Sequence, residues 1–378
     1  MSESAQVLVY APETEKLRYP PDCPFKTERA TATRGQLLGA GLLGTGELRE
    51  EPCRPASRAE LERLHTPRYL DLLQAAAAGE LTPEGLHAGL GAPDTPVFHD
   101  LWDYACWACG AALHAADLLL EGRARVAFNL HGGFHHAHAD RAGGFCYLND
   151  VALACERLAA AGRRVMYLDL DAHHGDGVQA FFYARNDVLT VSLHESGKTL
   201  FPWGGFEHEL GEGPGHGYNV NVPLPAQTYD EAYLRAYRTI VPPLIEAYRP
   251  DVLVVELGMD ILAGDPLTHL QMTNNVVVEI ARHLRQTGLP LLVSGGGGYQ
   301  FEPTVRGWAL AWRTLAGRDD EDALSMGLGG ALMSTLDWAG GWRDPERPVP
   351  AEVRERVESE LARTLATLRE IVPLLRQR

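Results

Sequence analysis

One stretch of the sequence, residues 166–178, restricts the possible fold more than any other. It reads M-Y-L-D-L-D-A-H-H-G-D-G-V, so an apolar run typical of a buried strand ends in five ionisable side chains within eight residues. Alternate residues of an extended chain point to the same side, which puts Asp171 and His173 together where the strand ends. A hydrogen-bonded core network is one interpretation. A metal or catalytic site is favoured, because burying such a cluster is costly unless an ion or a reaction organises it.

Apolar strand-like runs alternate with helix-like segments along most of the chain. The predicted strands are residues 6–10, 125–130, 165–169, 188–193, 252–257 and 291–294, and the predicted helices are residues 29–38, 58–78, 100–120, 149–161, 177–183, 229–248, 273–286, 303–316 and 352–370. Nearly continuous valine and leucine runs indicate strands buried on both faces, as in a parallel sheet covered by helices. Since no internal repeat or long linker is present, we predict one α/β domain over residues 1–378, with the helix at 352–370 packed on it.

Charge and hydropathy limit the class of function. The formal net charge of −16 disfavours binding to a nucleic-acid backbone, which calls for a basic surface, and is compatible with a cationic substrate. No apolar run approaches the ~20 residues that span a bilayer, and the N-terminus lacks the features of a signal peptide. We therefore predict a cytoplasmic protein with no nucleic-acid or membrane partner. The six scattered cysteines do not form a disulfide framework, and the oligomeric state is left open.

Four segments rich in reactive side chains follow four of the predicted strands. In chain order they are H-G-G-F-H-H-A at 131–137, D-A-H-H-G-D at 171–176, G-M-D at 258–260 and G-G-G-G-Y at 295–299. Each segment alone is a weak signal, because glycine-rich runs are usually turns. Open α/β sheets bind their ligands beyond the carboxyl ends of the strands, so we expect the four segments to meet at one site.

The side chains in these segments divide into metal ligands and proton carriers. Asp171, His173 and Asp260 supply two carboxylates and one imidazole, a set that suits a catalytic zinc or a related divalent ion and leaves positions open for water and substrate. The remaining acids, Asp169 and Asp176, are expected to stand one behind each histidine of the adjacent pair. A histidine held in this way can take a proton from metal-activated water and return it to a leaving group.

Two further side chains complete this interpretation. Tyr299, on a loop that its glycines bring close to the site, offers a hydroxyl to a developing oxyanion. His138, two residues beyond the histidine pair, is predicted to be a hydrogen-bonding loop residue and not a ligand. The combination predicts a metal-assisted amide hydrolase.

The sequence resembles the histone deacetylase and acetoin-utilization protein family from about Arg29 to Trp312. The motifs that carry the resemblance are G-G-F-H-H-A at 132–137, G-G-F-C-Y-L-N-D at 143–150, the stretch at 166–178, G-M-D-I-L-A-G-D-P at 258–266 and G-G-G-G-Y at 295–299. The resemblance implies an arginase-like open α/β/α fold with a mostly parallel, roughly eight-stranded sheet. It also implies Zn²⁺, with Fe²⁺ as an alternative, at Asp171, His173 and Asp260.

The resemblance also implies a role for each proton carrier. His136 matches the general base and acid, and His135 matches its electrostatic neighbour. Asp169 and Asp176 match the carboxylates behind His135 and His136 respectively. Tyr299 matches the residue that polarises the acyl carbonyl.

The same resemblance implies a narrow substrate tunnel. Gly144, Phe145 and Phe201 match its lining, and Asp94 matches a rim acid that hydrogen-bonds the substrate backbone. Leu267 occupies the tunnel mouth. Structural K⁺ or Na⁺ ions are implied at two sites, one matching Asp169, Asp171, His173, Ser192 and Leu193 and the other matching Phe182, Val188 and Tyr218.

The predicted activity is the removal of acetyl or related acyl groups from lysine side chains of proteins. The alternative substrate is a small N-acetylated amine such as an acetylpolyamine. Leu267 disfavours that alternative, because it stands where a relative specialised for acetylpolyamines would place a glutamate. A non-catalytic binding module is a third hypothesis, and the complete set of ligands, histidine pair and tyrosine disfavours it.

Overall fold

The computed structural model describes residues 5–318 and 341–376. Within these ranges one sheet of eight strands is present, in the order β2-β1-β3-β8-β7-β4-β5-β6, and every neighbouring pair is parallel. The strands are β1 (Ala5–Val9), β2 (Leu48–Glu51), β3 (Ala124–Asn129), β4 (Val165–Asp169), β5 (Val188–Glu195), β6 (Asn219–Leu224), β7 (Val252–Glu256) and β8 (Leu291–Ser294).

Helices connect the strands and cover both faces of the sheet. They are α1 (Glu28–Gly39), α2 (Arg58–Leu61), α3 (Pro67–Ala77), α4 (Pro83–His87), α5 (Leu101–Leu120), α6 (Asp150–Ala160), α7 (Asp176–Phe182), α8 (Asp230–Tyr248), α9 (Asn275–Thr287), α10 (Phe301–Leu315) and α11 (Ala351–Ile371). On β4, Met166 and Leu168 enter one apolar cluster and Val165 and Tyr167 another. This alternation is why the predicted strands read as continuous apolar runs.

The strands that the sequence did not reveal are the two edges of the sheet. β2 reads L-R-E-E, and β6 reads N-V-N-V-P-L with Pro223 inside it. Edge strands have one neighbour only, so charged residues and proline are tolerated there and the apolar signal weakens. The prediction of a helix over 58–78 was also wrong in part. The chain forms α2, leaves the helix, and begins α3 at Pro67 with the Thr66 side chain as its cap.

The C-terminal helix packs on the main body of the protein. Val357, Leu361 and Leu368 of α11 are fully buried and belong to the same apolar cluster as the sheet residues and α8. The sequence of residues 317–350 is polar and predicts an irregular region; residues 319–340 of it lie outside the described residues. No helix in the described ranges 5–318 and 341–376 has the length and apolar character needed to cross a membrane.

The order of the strands determines where a site can form. β3 and β4 are consecutive in the chain, but β8 and β7 lie between them in the sheet. The connections therefore change direction at this point, which is where open α/β sheets leave a crevice beyond the carboxyl ends of their strands. The four segments with reactive side chains follow these four neighbouring strands.

Candidate active site

Three ligand atoms converge at the ends of β4 and β7. The Nδ1 atom of His173 lies 2.9 Å from Asp260 Oδ2 and 3.2 Å from Asp171 Oδ1. All three side chains are buried, and the ligand atoms lie within 4.8 Å of one another. We call Asp171, His173 and Asp260 the ligand group.

Backbone amides of the loops after β4 and β8 hold the carboxylates of the ligand group. Gly297 N donates to Asp171 Oδ2 at 2.6 Å, and Ala172 N donates to Asp260 Oδ1 at 2.9 Å. A Cβ atom on Gly297 would lie 2.1 Å from Asp260 Oδ2. Glycine is therefore required there for the loop after β8 to approach the acids of the neighbouring strand ends.

The electrostatics of the ligand group favour an added cation. Burial lowers the pKa of His173, but hydrogen bonds to Asp171 and Asp260 outweigh it and raise the pKa to about 10. Burial and the charge of Asp171 raise the pKa of Asp260 to about 7. Two buried acids thus draw positive charge to the space between them. One imidazole and two carboxylates also form a donor set that suits a divalent metal ion, so the residues fit such an ion.

The adjacent histidines lie beside the ligand group, each with a carboxylate behind it. His136 Nδ1 is 2.8 Å from Asp176 Oδ1, and His135 Nδ1 is 3.0 Å from Asp169 Oδ2. The two Nε2 atoms face each other at 3.0 Å, so only one of them carries a proton.

The pKa directions of the two histidines show which ring holds that proton. Burial lowers the pKa of His135, but the buried carboxyl groups of Glu256 and Asp169 beside it outweigh burial and raise the pKa well above its usual value. Burial and the neighbouring His135 lower the pKa of His136 to about 4. His135 is therefore the cationic ring of the pair, and His136 is the neutral ring.

Glu256 is a buried residue of the site that the sequence interpretation missed. It ends β7 opposite Asp169 in the register of the sheet, and its Oε1 lies 3.3 Å from His135 Nδ1. The hydroxyl of Tyr167 donates to Asp169 Oδ2 at 2.7 Å and lies 3.2 Å from Glu256 Oε2. We call His135, Asp169 and Glu256 the support group. The only sequence signal was an acid at the end of an otherwise apolar strand.

Two further acids hold the loops of the site. Asp265 accepts hydrogen bonds from the backbone amides of Tyr299 and Leu267, at 2.8 and 3.0 Å. Asp150 accepts from the amides of Gly133 and Phe134, just before the histidine pair. Both acids belong to the quoted family motifs but carried no individual prediction.

Aromatic rings flank the reactive groups. The ring centroid of Tyr299 lies 6.4 Å from that of His173 and 5.7 Å from that of Phe145. The Phe201 ring lies 5.0 Å from the His136 ring. Burial and the charge of Asp260 raise the pKa of Tyr299 well above its usual value, so its hydroxyl keeps its proton.

The predicted tunnel-lining and rim residues lie close together. Gly144 has a φ of +52°, and a Cβ atom on it would lie 2.4 Å from the His136 ring, so a side chain there would be strained and would clash. Asp94 Oδ2 accepts from the Gly144 amide at 2.8 Å, and the Asp94 carbonyl accepts from the Phe145 amide. Leu267 is partly buried on the loop that follows Asp260.

The residues predicted to hold monovalent cations lie on neighbouring elements. Ser192 faces Asp169 in the register of β4 and β5, and its hydroxyl is 2.7 Å from His194 Nδ1. Leu193 follows on β5, which ends at Glu195. Phe182 ends α7 and Val188 begins β5, and the Tyr218 carbonyl accepts from the Thr190 amide just before β6. Their proposed role stays a prediction.

Comparisons with known proteins agree with this geometry. A family model described as "Histone deacetylase domain" matches residues 23–315. The acetoin utilization protein AcuC of Bacillus subtilis (strain 168) is 40% identical over 322 residues, which cover 83% of this chain and 82% of that protein. Histone deacetylase 8 of Xenopus tropicalis is 38% identical over 292 residues, which cover 77% of this chain and 78% of that protein.

Solved structures give the same result. The crystal structure of an HDAC homolog complexed with SAHA matches with a TM-score of 0.82 and 31% identity, over 96% of this chain and 100% of that chain. The HDAC homolog from Aquifex aeolicus matches with a TM-score of 0.80 and 31% identity, over 94% of this chain and 99% of that chain. These homologs have the arginase-like α/β fold, so the predicted fold class is confirmed, with a sheet that is parallel throughout the described residues.

Proposed function

The chain belongs to the histone deacetylase family, and on this basis we propose that it removes acetyl groups from lysine side chains of proteins with the help of a bound divalent metal ion. Members of the family are hydrolases that cleave amide bonds. The observation that carries the proposal is the convergence of the ligand group with His136 and Tyr299. The rings of these two residues lie at centroid distances of 5.9 and 6.4 Å from the His173 ring.

The ligand group is the proposed metal site. Asp171, His173 and Asp260 would hold the ion, for which we propose zinc with iron(II) as the alternative. Once bound, such an ion acts as a Lewis acid towards an acyl carbonyl and lowers the pKa of water. Elemental analysis of the purified protein, followed by metal removal and reconstitution with each ion, identifies the native metal.

His136 is the proposed general base and acid. Its Nε2 takes a proton from the attacking water as the new carbon–oxygen bond forms, while Asp176 holds its Nδ1–H and fixes the tautomer. As the carbon–nitrogen bond breaks, the same nitrogen gives a proton to the departing amine. The cationic ring of His135 stabilises the negative charge that develops nearby. The products are acetate and the free lysine side chain.

Tyr299 is the proposed donor to the developing oxyanion. Its hydroxyl keeps its proton because its pKa is raised, and a neutral phenol in a desolvated site is an effective hydrogen-bond donor. Asp265 holds the Tyr299 backbone at 2.8 Å, so this loop is tied to the loop that carries the metal ligand Asp260.

The aromatic walls support an acylated lysine as the substrate. Phe145 and Phe201 lie beside Tyr299 and His136 respectively, and we propose that the apolar stem of the lysine passes between them. Asp94, which is tied to the Gly144 turn, would accept a hydrogen bond from the substrate backbone at the rim. Leu267 at the mouth offers no charge for a second ammonium group, which supports a protein substrate over a small acetylated amine.

We further propose that residues 1–378 form one catalytic domain and that monovalent cations occupy the two predicted sites. The shared apolar cluster of α11 and the sheet supports the first proposal. The pairing of Ser192 on β5 with Asp169 on β4 in the register of the sheet supports the second.

A substrate comparison tests the proposed activity. Turnover of an acetyl-lysine peptide should greatly exceed that of N-acetylputrescine when both are assayed with the metal-loaded protein. Preferential turnover of N-acetylputrescine would show that the substrate is a small acetylated amine and not a protein. If the metal is bound and neither substrate is cleaved, the catalytic proposal fails and the non-catalytic binding module gains support.

A further inference from the structure

His138 contacts the second oxygen of the Asp176 carboxylate, which also holds His136. Asp176 Oδ1 lies 2.8 Å from His136 Nδ1, and Asp176 Oδ2 lies 2.9 Å from His138 Nε2. An ionised carboxylate only accepts hydrogen bonds, so both histidine nitrogens donate to it. The sequence predicted a hydrogen-bonding loop residue at His138, and the structure shows that its partner is an acid of the candidate active site.

The backbone places both histidines against this one carboxylate. α7 begins at Asp176, and its first turn presses on the segment that carries the histidines. A Cβ atom on Gly177 would lie 2.4 Å from the carbonyl oxygen of Ala137, so only glycine allows this approach. His136 and His138, two residues apart on that segment, thereby meet the two oxygens of Asp176.

The carboxylate behind His135, the other histidine of the pair, also has a second hydrogen-bond donor, but it is more deeply buried than Asp176. Asp169, behind His135, also accepts from the Tyr167 hydroxyl at 2.7 Å and is fully buried, so packing and this bond fix its carboxylate. The Asp176 side chain is 27% exposed. A partly exposed carboxylate rotates about its Cβ–Cγ bond unless a second donor holds it. His138 is the donor to the second oxygen of Asp176, Oδ2.

Charged neighbours of His138 do not replace this contact. Arg141 Nη2 lies 2.9 Å from His138 Nε2, but a nitrogen that donates to Asp176 cannot accept from a guanidinium. The Arg141 side chain is 53% exposed. Burial raises the pKa of Asp176, but hydrogen bonds from His136 and His138 outweigh it and lower the pKa below its usual value. The acid is therefore ionised and accepts from both rings.

We propose that His138 is a positioning residue for the catalytic base, because it fixes the plane of the Asp176 carboxylate and, through it, the orientation and tautomer of the His136 ring. This inference rests on the proposed function, in which His136 is the general base. His138 acts through Asp176, so its loss should lower kcat and leave substrate binding nearly unchanged.

Two substitutions at this position test the role. His138→Leu removes the donor with little change in volume, and we expect kcat for an acetyl-lysine peptide to fall about 10-fold, the lower end of the usual effect of removing such an outer hydrogen bond, with little change in KM. His138→Gln keeps a neutral N–H donor and should restore most of the lost kcat. The matched control is His283→Gln, which replaces a half-buried histidine on α9 that is bonded to Tyr237, and it should match the wild-type protein.

Crystal structures of the variants provide a readout that does not depend on turnover. The Asp176 carboxylate should rotate away from His136 Nδ1 in His138→Leu and should stay in place in His138→Gln. A wild-type kcat together with an unmoved carboxylate in His138→Leu would overturn the inference. So would a His138→Gln variant that is as slow as His138→Leu although the introduced amide donates to Asp176.

Failure of the proposed function gives a different result. In that case the wild-type protein does not cleave the acetyl-lysine peptide. The structure of His138→Leu then still decides whether His138 positions Asp176 and the His136 ring.

Discussion

The ligand group and the support group have the same composition but different surroundings. Each combines one imidazole with two carboxylates, is almost fully buried, and brings one ligand atom from every member within 4.8 Å of the others. Composition and spacing alone would nominate both as metal sites. The hydrogen bonds around the acids distinguish them.

Each acid of the ligand group accepts from a backbone amide. In the support group Asp169 accepts from the Asp171 amide at 3.2 Å and from the Tyr167 hydroxyl at 2.7 Å, and the Glu256 side chain contacts the Tyr167 hydroxyl and His135 Nδ1. Gly297 N and Ala172 N donate to the ligand-group carboxylates. Hydrogen bonds from backbone amides favour the ionised form of an acid. A bound cation would favour that form further at Asp260, whose pKa burial and the charge of Asp171 raise to about 7. In the support group Tyr167 serves both acids, and burial and the charge of Asp169 raise the pKa of Glu256 well above its usual value against the effect of His135. A protonated acid is a poor metal ligand, so this group serves the His135 ring.

The strongest test of this distinction replaces one acid of each group with its amide. We expect Asp260→Asn to lose its bound metal and to lower deacetylation by at least about 10³-fold, because a Lewis-acid metal contributes several kcal/mol to transition-state stabilisation. Glu256→Gln is the matched control and should keep the wild-type metal content. Elemental analysis measures both, and the reverse pattern would exchange the roles of the two groups.

Removing His136, the proposed base, should have the next largest effect. His136→Ala should lower turnover by roughly 10²–10⁴-fold, because proton transfer in both directions is lost. Metal content and melting temperature should stay near those of the wild-type protein, since His136 is not in the ligand group. Near-normal turnover in this variant would refute the assigned role. In the wild-type protein the base form should persist below the usual histidine range, because the pKa of His136 is lowered to about 4.

Removing the phenol that faces the ligand group should have a smaller effect. Tyr299→Phe should lower kcat by about 10²–10³-fold, the usual loss for one oxyanion donor, with the metal retained. Tyr237→Phe is the matched control, because that hydroxyl bonds to His283 on the surface of α9. An unchanged rate in Tyr299→Phe would mean that another group donates to the oxyanion.

The fold was predictable from the sequence where strands are buried on both faces. β4 and β8 have the predicted boundaries because their apolar runs end abruptly at polar or glycine residues. β2 and β6 were missed because they are edge strands, whose polar residues and proline cost little there. The local hydropathy pattern indicates whether a segment is buried. Whether a polar segment forms an edge strand depends on pairing with a strand that is distant in the sequence.

The candidate site was predictable where ionisable residues cluster locally, and less so where the sheet brings single residues together. The aspartates and histidines at 169–176 are dense enough in the sequence to predict a site. Glu256 is one acid after four apolar residues, and only the register of β4 with β7 puts it opposite Asp169. His138 directly follows the quoted segment at 131–137, but its partner is 38 residues away.

The smallest expected effect concerns the protonation of the support group. The raised pKa of Glu256 means that the folded protein holds a proton that the unfolded chain releases above about pH 4.3, the usual value for glutamate. The contribution of this acid to the free energy of unfolding is therefore fully present below that pH. As the pH rises towards the raised pKa, this contribution decreases by up to about 1.4 kcal/mol per pH unit. Glu256→Gln has no such proton, so its free energy of unfolding relative to the wild-type protein should increase between pH 5 and pH 8. Urea unfolding across this range, with metal saturating in both proteins, measures the difference. A difference that does not change with pH would mean that Glu256 is ionised in the fold, and the support group would then lose the feature that separates it from the ligand group.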